Sequence, residues 1–137
     1  MLSLAARQAD IININFDLRE GRINRKLART GFAEATDDKL GWIREAAAER
    51  LGQVELSVTI FIVNVTDKRE EVAAAMASGL GSETREILDT PHFMIGTLDQ
   101  LAEDLQARRE RFGISYVIVP AEVAESLAPV VERLTGT

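Results

Sequence analysis

The sequence predicts an α/β protein in which about three parallel strands alternate with helices, and three observations carry that expectation. The run Val54 to Val65 opens with alternating apolar residues (Val54, Leu56, Val58, Ile60, Ile62) and turns continuously apolar from Ile60 to Val63, the pattern of a central strand whose second half is covered on both faces. The run Ile114 to Val119 is almost wholly apolar and β-rich before Pro120 closes it, which again predicts a parallel strand covered on both sides. Between and around these runs, apolar residues recur at helical spacing. The resulting order of helix, strand, helix, strand, helix, helix, strand, helix is that of a parallel α/β layout, a single domain over residues 1–137.

Taken in order, residues 1 to 9 form a short helix that packs Leu2, Ala5, Ala6 and Ala9, and Asp10 to Asn15 follow as a strand in which Asn13 and Asn15 alternate with Ile12 and Ile14. Residues 16–36 carry Arg19, Arg22, Arg25, Lys26 and Arg29 among Phe16, Leu18, Ile23 and Leu27. Such a run either holds an anionic group or forms a solvated, partly helical excursion, and it is the candidate for a mobile loop. Asp37 or Thr36 is expected to cap the next helix, with Leu40, Ile43, Ala47 and Leu51 on one face and Gly52 at its end. Asp67 and Glu70 read as a capping box ahead of Val72, Ala73, Met76 and Leu80, with Gly79 and Gly81 breaking the helix. Ser82 to Leu88 adds a short capped helix before Thr90-Pro91.

The passage from Met94 to Pro120 organises the chain. Thr97 and Gln100 form a capping box; Leu98, Leu101, Ala102, Leu105 and Phe112 make an apolar stripe; Gly113 supplies the left-handed residue that ends the helix. The last helix, from Ala121, packs Val123, Leu127, Val130 and Leu134 and contains Pro129. His92, the single histidine, has no partner visible in sequence and reads as structural or merely exposed.

Composition narrows the functions. The 137 residues are 46% hydrophobic and 28% charged, an ordinary globular balance. With 22 acidic against 16 basic residues the net charge is −6, which argues against a nucleic acid or an anionic membrane as partner. No cysteine is present, so disulfides, thiolate nucleophiles and cysteine metal sites are excluded. No apolar run reaches spanning length, and the expected location is cytoplasmic. Paired carboxylates, a Ser-His-Asp set, a metal-ligand cluster and glycine-rich nucleotide loops are all missing from the sequence, so the catalytic residues stay unassigned.

Three segments in order resemble the luciferase-like monooxygenase family, barrel oxidoreductases that use flavin mononucleotide (FMN) or the deazaflavin coenzyme F-420. Leu2-Ser3-Leu4-Ala5-Ala6-Arg7-Gln8-Ala9-Asp10-Ile11-Ile12 is similar to the family's helix-to-strand junction. Trp42 to Arg50 with the strand from Val54 is the second match. Ile95-Gly96-Thr97 with Gly113-Ile114-Ser115-Tyr116-Val117-Ile118-Val119 resembles the late hallmark of the family. Together they correspond to the C-terminal part of a family member.

The resemblance implies a partial β/α (TIM-type) barrel and a flavin- or F-420-dependent oxidoreductase fragment that is not active alone. The family's glycine-rich phosphate loop and earlier strands would lie upstream of Met1. Met1, Leu2 and Ser3, at a helix N-terminus, are then expected beside the cofactor phosphate, while Asn13, Asn15 and Asp17 are positioned for binding at a strand's C-terminal end. The alternative for the two asparagines is that they end a strand and open a loop. Three strands alone leave two open edges and an uncovered face, so a homodimer or higher oligomer, or the missing barrel half, is the expected partner. The other reading is a non-enzymatic α/β scaffold or binding module.

Overall fold

The computed structural model describes residues 1–18 and 24–137; Arg19, Arg22 and Ile23 of the basic run lie outside the described residues. The chain enters through α1 (Leu2–Gln8), which passes into β1 (Ile11–Ile14). The Arg50 guanidinium donates to the carbonyls of Ala6 at 3.2 Å and Ala9 at 3.4 Å, supplying partners to carbonyls that the helix end leaves without intrahelical ones. Asn24 then caps α2 (Arg25–Ala28), its side chain accepting from the backbone N–H groups of Lys26 and Leu27. This turn and the 3-10 turn Arg29–Gly31 are not solvated throughout, since Leu27, Ala28 and Gly31 are buried.

α3 (Ala33–Ala47) starts earlier than the caps Asp37 or Thr36 would have it, with Phe32 at the N-cap position. Phe32 is buried in the core and so draws the helix start upstream, and Thr36 lies within the first turn, its hydroxyl donating back to the Phe32 carbonyl at 3.0 Å. The helix also stops at Ala47 rather than Gly52, continuing as 3-10 turns over Ala48–Gln53.

The long apolar run is two strands, β2 (Glu55–Thr59) and β3 (Ile62–Val65), because the chain changes neighbours in the middle. The Ile60 N–H donates to the Ile118 carbonyl at 2.8 Å, and the Phe61 N–H, facing the other way, donates to the His92 carbonyl at 2.9 Å. α4 (Arg69–Leu80) and α5 (Thr84–Asp89) follow. The Asp67–Glu70 box does not form: Lys68 occupies the cap position, and the Thr66 hydroxyl turns the chain by accepting from the Lys68 N–H at 3.0 Å. A capping box forms instead between Glu83 and Glu86 at the start of α5. β4 (Phe93–Gly96), for which the sequence predicts no strand, is fully buried.

α6 (Leu98–Phe112) has the expected Thr97–Gln100 box and ends at Gly113, whose φ of 74° is left-handed. It feeds β5 (Ile114–Ile118), and a 3-10 turn at Ala121–Val123 leads to α7 (Ala124–Leu134). All strand pairs are parallel: a three-stranded sheet in the order β1-β2-β5 and a two-stranded extension β3-β4.

The helices cover one side. There Ile12, Ile14, Val58, Ile60 and Ile114 meet Leu40, Ile43, Leu101, Phe112, Leu127 and Val130 in the main core, each large side chain contributing about 1.5–3 kcal/mol. A second cluster gathers Phe16, Ala28, Phe32, Ala73, Ala77, Ile87, Phe93 and Ile95 around β4. The expectation that Ile114 to Val119 is covered on both faces is corrected here: Tyr116 and Ile118 are 45% and 40% exposed, on the side of the three-stranded sheet away from the main core, whereas β4 is covered on both faces, with Met94 in the main core and Phe93 and Ile95 in the second cluster.

Candidate binding face

The register of the parallel sheet lays out that uncovered side row by row. Asn13 stands opposite Ser57, and Ser57 opposite Tyr116. One step toward the C-terminal ends, Thr59 stands opposite Ile118; one step back, Ile11 stands opposite Glu55. Side chains two residues apart on a strand share a face, so Ile11, Asn13, Glu55, Ser57, Thr59, Tyr116 and Ile118 lie on one side of the sheet, with Ser57 itself buried between its neighbours at 1% exposure. Its hydrogen bonds are continuous: the Asn13 amide donates to the Ser57 hydroxyl at 2.9 Å, and the Thr59 hydroxyl donates to the Asn13 amide oxygen at 3.4 Å. At the lower edge the Ser115 hydroxyl donates to the Glu55 carboxylate at 3.1 Å.

The predicted asparagines part company. Asn13 is exposed on this surface. Asn15 lies past the end of β1, its side chain accepting from the Phe16 N–H at 2.8 Å and its carbonyl accepting from the Lys39 ammonium at 2.6 Å, the strand-ending arrangement of an Asx residue. The Asp17 N–H donates to the Thr30 hydroxyl at 2.8 Å. Met1 is fully exposed and Leu2 and Ser3 are partly buried at the start of α1. Among the described residues no hydrogen bond joins Met1, Leu2 or Ser3 to Asn13 or Asn15.

Beneath the upper end of this surface lies a set of side chains that the sequence did not tie together: a buried His92, a half-buried Lys39 and a buried Arg108. His92 is completely buried, with its Nδ1 2.9 Å from the Thr59 carbonyl and its ring 4.3 Å from that of Phe16, centroid to centroid. A carbonyl can only accept, so Nδ1 carries the proton and Nε2 is the bare acceptor, which has no hydrogen-bond partner among the described residues. Burial, with the Lys39 and Arg108 charges adding to it against the Thr59 bond, pushes the imidazole down to about 4, so the ring is neutral at pH 7. Lys39 is itself lowered by burial, an effect the Asp17 carboxylate offsets in part, and it also donates to the Thr30 carbonyl. Arg108 donates to the carbonyls of Pro91 at 3.4 Å and Phe93 at 2.6 Å; burial pushes it down to about 10, still charged at pH 7.

Ser57 and Thr59 were legible in principle as polar residues two apart in an apolar strand, the period that puts them on one face. Nothing in the sequence ties His92, Lys39 or Arg108 together. Among the described residues no cluster of acidic and histidine side chains could hold a metal, and no helix is long and apolar enough to cross a membrane. No family model matches the chain, and no curated protein matches it significantly.

Proposed function

We propose that the chain is part of a luciferase-like β/α barrel oxidoreductase, with the uncovered sheet surface as its side of the site for a flavin or deazaflavin. The observation that carries this reading is the parallel order β1-β2-β5 with helices on one side and a polar row, Asn13–Ser57–Thr59, on the other. In a barrel the strands run parallel and the side away from the helices is the interior; β1 and β2 are neighbours here as consecutive units would be, while β4, between β2 and β5 in sequence, pairs with β3 on the opposite edge. The three matching segments fall on α1–β1, α3–β2 and α6–β5.

The residues present fit one side of such a cofactor. A planar heterocycle needs paired donors and acceptors along its edge and apolar surface against its face; Asn13 and Thr59 supply the first, with the buried Ser57 behind them, and Ile11, Tyr116 and Ile118 the second. When bound, the cofactor carries the hydride or oxygen chemistry. The chain's own groups orient it: the Asn13 amide reads the ring edge, and the Ser57 and Thr59 hydroxyls hold that amide in place. The remaining strands of the barrel are the partner this reading calls for.

A fluorescence titration tests it. FMN and coenzyme F-420 are each added to the purified chain, alone and after co-expression with a family member's N-terminal half. Saturable quenching by one cofactor in the complemented protein, weakened at least about 10-fold by Asn13→Ala, is expected. Failure of both cofactors to bind a folded, complemented protein overturns the reading.

A further inference from the structure

Among the described residues β5 is the last strand of its sheet and pairs with β2 alone, and its free edge has properties that natural edges usually avoid. Open edges are commonly guarded by lysine, proline or an inward charge; Ile114–Ile118 contains none of these. Tyr116 and Ile118 stand 45% and 40% exposed on one side of the strand. On the other side an apolar groove of about 230 Å³ runs along the same strand, bounded by Leu105, Ile114, Val117, Val130, Val131 and Leu134, with Val131 60% exposed.

The total surface points the same way. The chain exposes 8109 Å², where a compact monomer of its 15.1 kDa mass exposes about 7,100 Å². The surplus of about 1,000 Å² matches the roughly 800 Å² that each partner buries in a standard stable interface.

We propose that β5 pairs with β5 of a second copy of this chain, antiparallel about a two-fold axis through Val117, giving a continuous six-stranded sheet. The register follows from the hydrogen bonds already made. The Ile118 carbonyl is committed to Ile60 on β2, so the backbone groups of Val117 face the free side; at Ser115 the β2–β5 register shifts by one residue, and the regular stretch is Tyr116 to Ile118. An axis at Val117 lets the two Val117 residues exchange N–H and C=O bonds. Tyr116 of each copy then lies beside Ile118 of the other, an aromatic to β-branched pair of the kind that stabilises sheets, and Pro120 ends the ladder. The strand itself is uncharged, so a chain of net charge −6 meets its copy without like charges on the pairing strands. The inference does not rest on the cofactor reading and competes with it at β5, since an edge shared by two copies is closed to a further barrel strand.

The test uses the absence of cysteine from the chain. Sedimentation equilibrium of the full chain is expected to give twice 15.1 kDa, and Ile118→Lys, at an exposed position, to shift the protein toward monomer with an unchanged circular dichroism spectrum. Val117→Cys is expected to form a disulfide-linked dimer on mild oxidation, since directly opposed antiparallel residues have Cα atoms about 5.5 Å apart, whereas Glu103→Cys on α6 stays unlinked. A monomeric wild-type chain overturns the proposal. A dimer that Val117→Cys fails to link, or that Ile118→Lys leaves intact, also overturns it and assigns the association to another surface.

Discussion

The Nδ1–H of His92 donates to the carbonyl of Thr59 at 2.9 Å, at the place where the long central strand exchanges one neighbour for another. β1 ends at Ile14 and β4 begins at Phe93, and both lie along the same edge of the β2–β3 run. In the gap between them the imidazole occupies a ladder position that backbone would otherwise fill, while the His92 carbonyl takes the Phe61 N–H two residues on. One residue thus splices the two sheets with a side chain and a main chain, directly under Asn13 and Thr59.

This splice makes stability depend on pH. The folded pKa of about 4 lies below the ordinary value near 6.5, so between these limits the unfolded chain binds more protons. The contribution is therefore complete above pH 6.5 and is lost as pH falls toward 4. Its size is on the order of 3 kcal/mol. Urea titrations at pH 7 and pH 4 are expected to show that much more acid destabilisation in the wild type than in His92→Gln, whose amide can still donate to Thr59. An equal pH dependence in the two proteins would place the imidazole elsewhere.

Arg108 holds the segment leading into β4 through two carbonyls, those of Pro91 and Phe93. Arg108→Met keeps the aliphatic packing and leaves both acceptors buried without that donor. A loss of about 2–4 kcal/mol is expected by denaturant unfolding, with amides of residues 92–96 gaining hydrogen exchange first. A neutral effect would show that the guanidinium is not engaged.

Phe16 reaches His92 only because Gly31 lacks a side chain. A Cβ at Gly31 would run into the Phe16 ring, so Gly31→Ala must push a buried ring aside. A loss of about 1–3 kcal/mol is expected from overpacking, and the ring-current shift of Phe16 on the His92 protons should change with it. Unchanged histidine resonances would contradict the stacking.

Much of the fold was readable because local chemistry and tertiary context agree. The Thr97–Gln100 box, the Gly113 stop and the apolar stripe of α6 are local signals, and the packing does not override them. β4 was hidden because Phe93 to Gly96 is too short to show a period, and because its strand character comes from pairing with β3. The start of α3 was misplaced for a similar reason: Thr36 and Asp37 are good caps, but burial of Phe32 sets the helix start. Of the candidate face, Asn13 was visible by its alternation in β1. Tyr116 was hidden by the apolar run around it, which looks covered on both sides until the sheet shows which side the helices leave open.

The central claim, that the surface of Asn13, Ser57, Thr59 and Tyr116 receives a flavin or deazaflavin, is tested most directly by amide chemical-shift mapping of the complemented protein during addition of FMN or coenzyme F-420. The account predicts perturbations concentrated at those four residues and their row neighbours Ile11 and Ile118. Perturbations confined to the outer faces of α3, α6 and α7, or none with either cofactor, would contradict it.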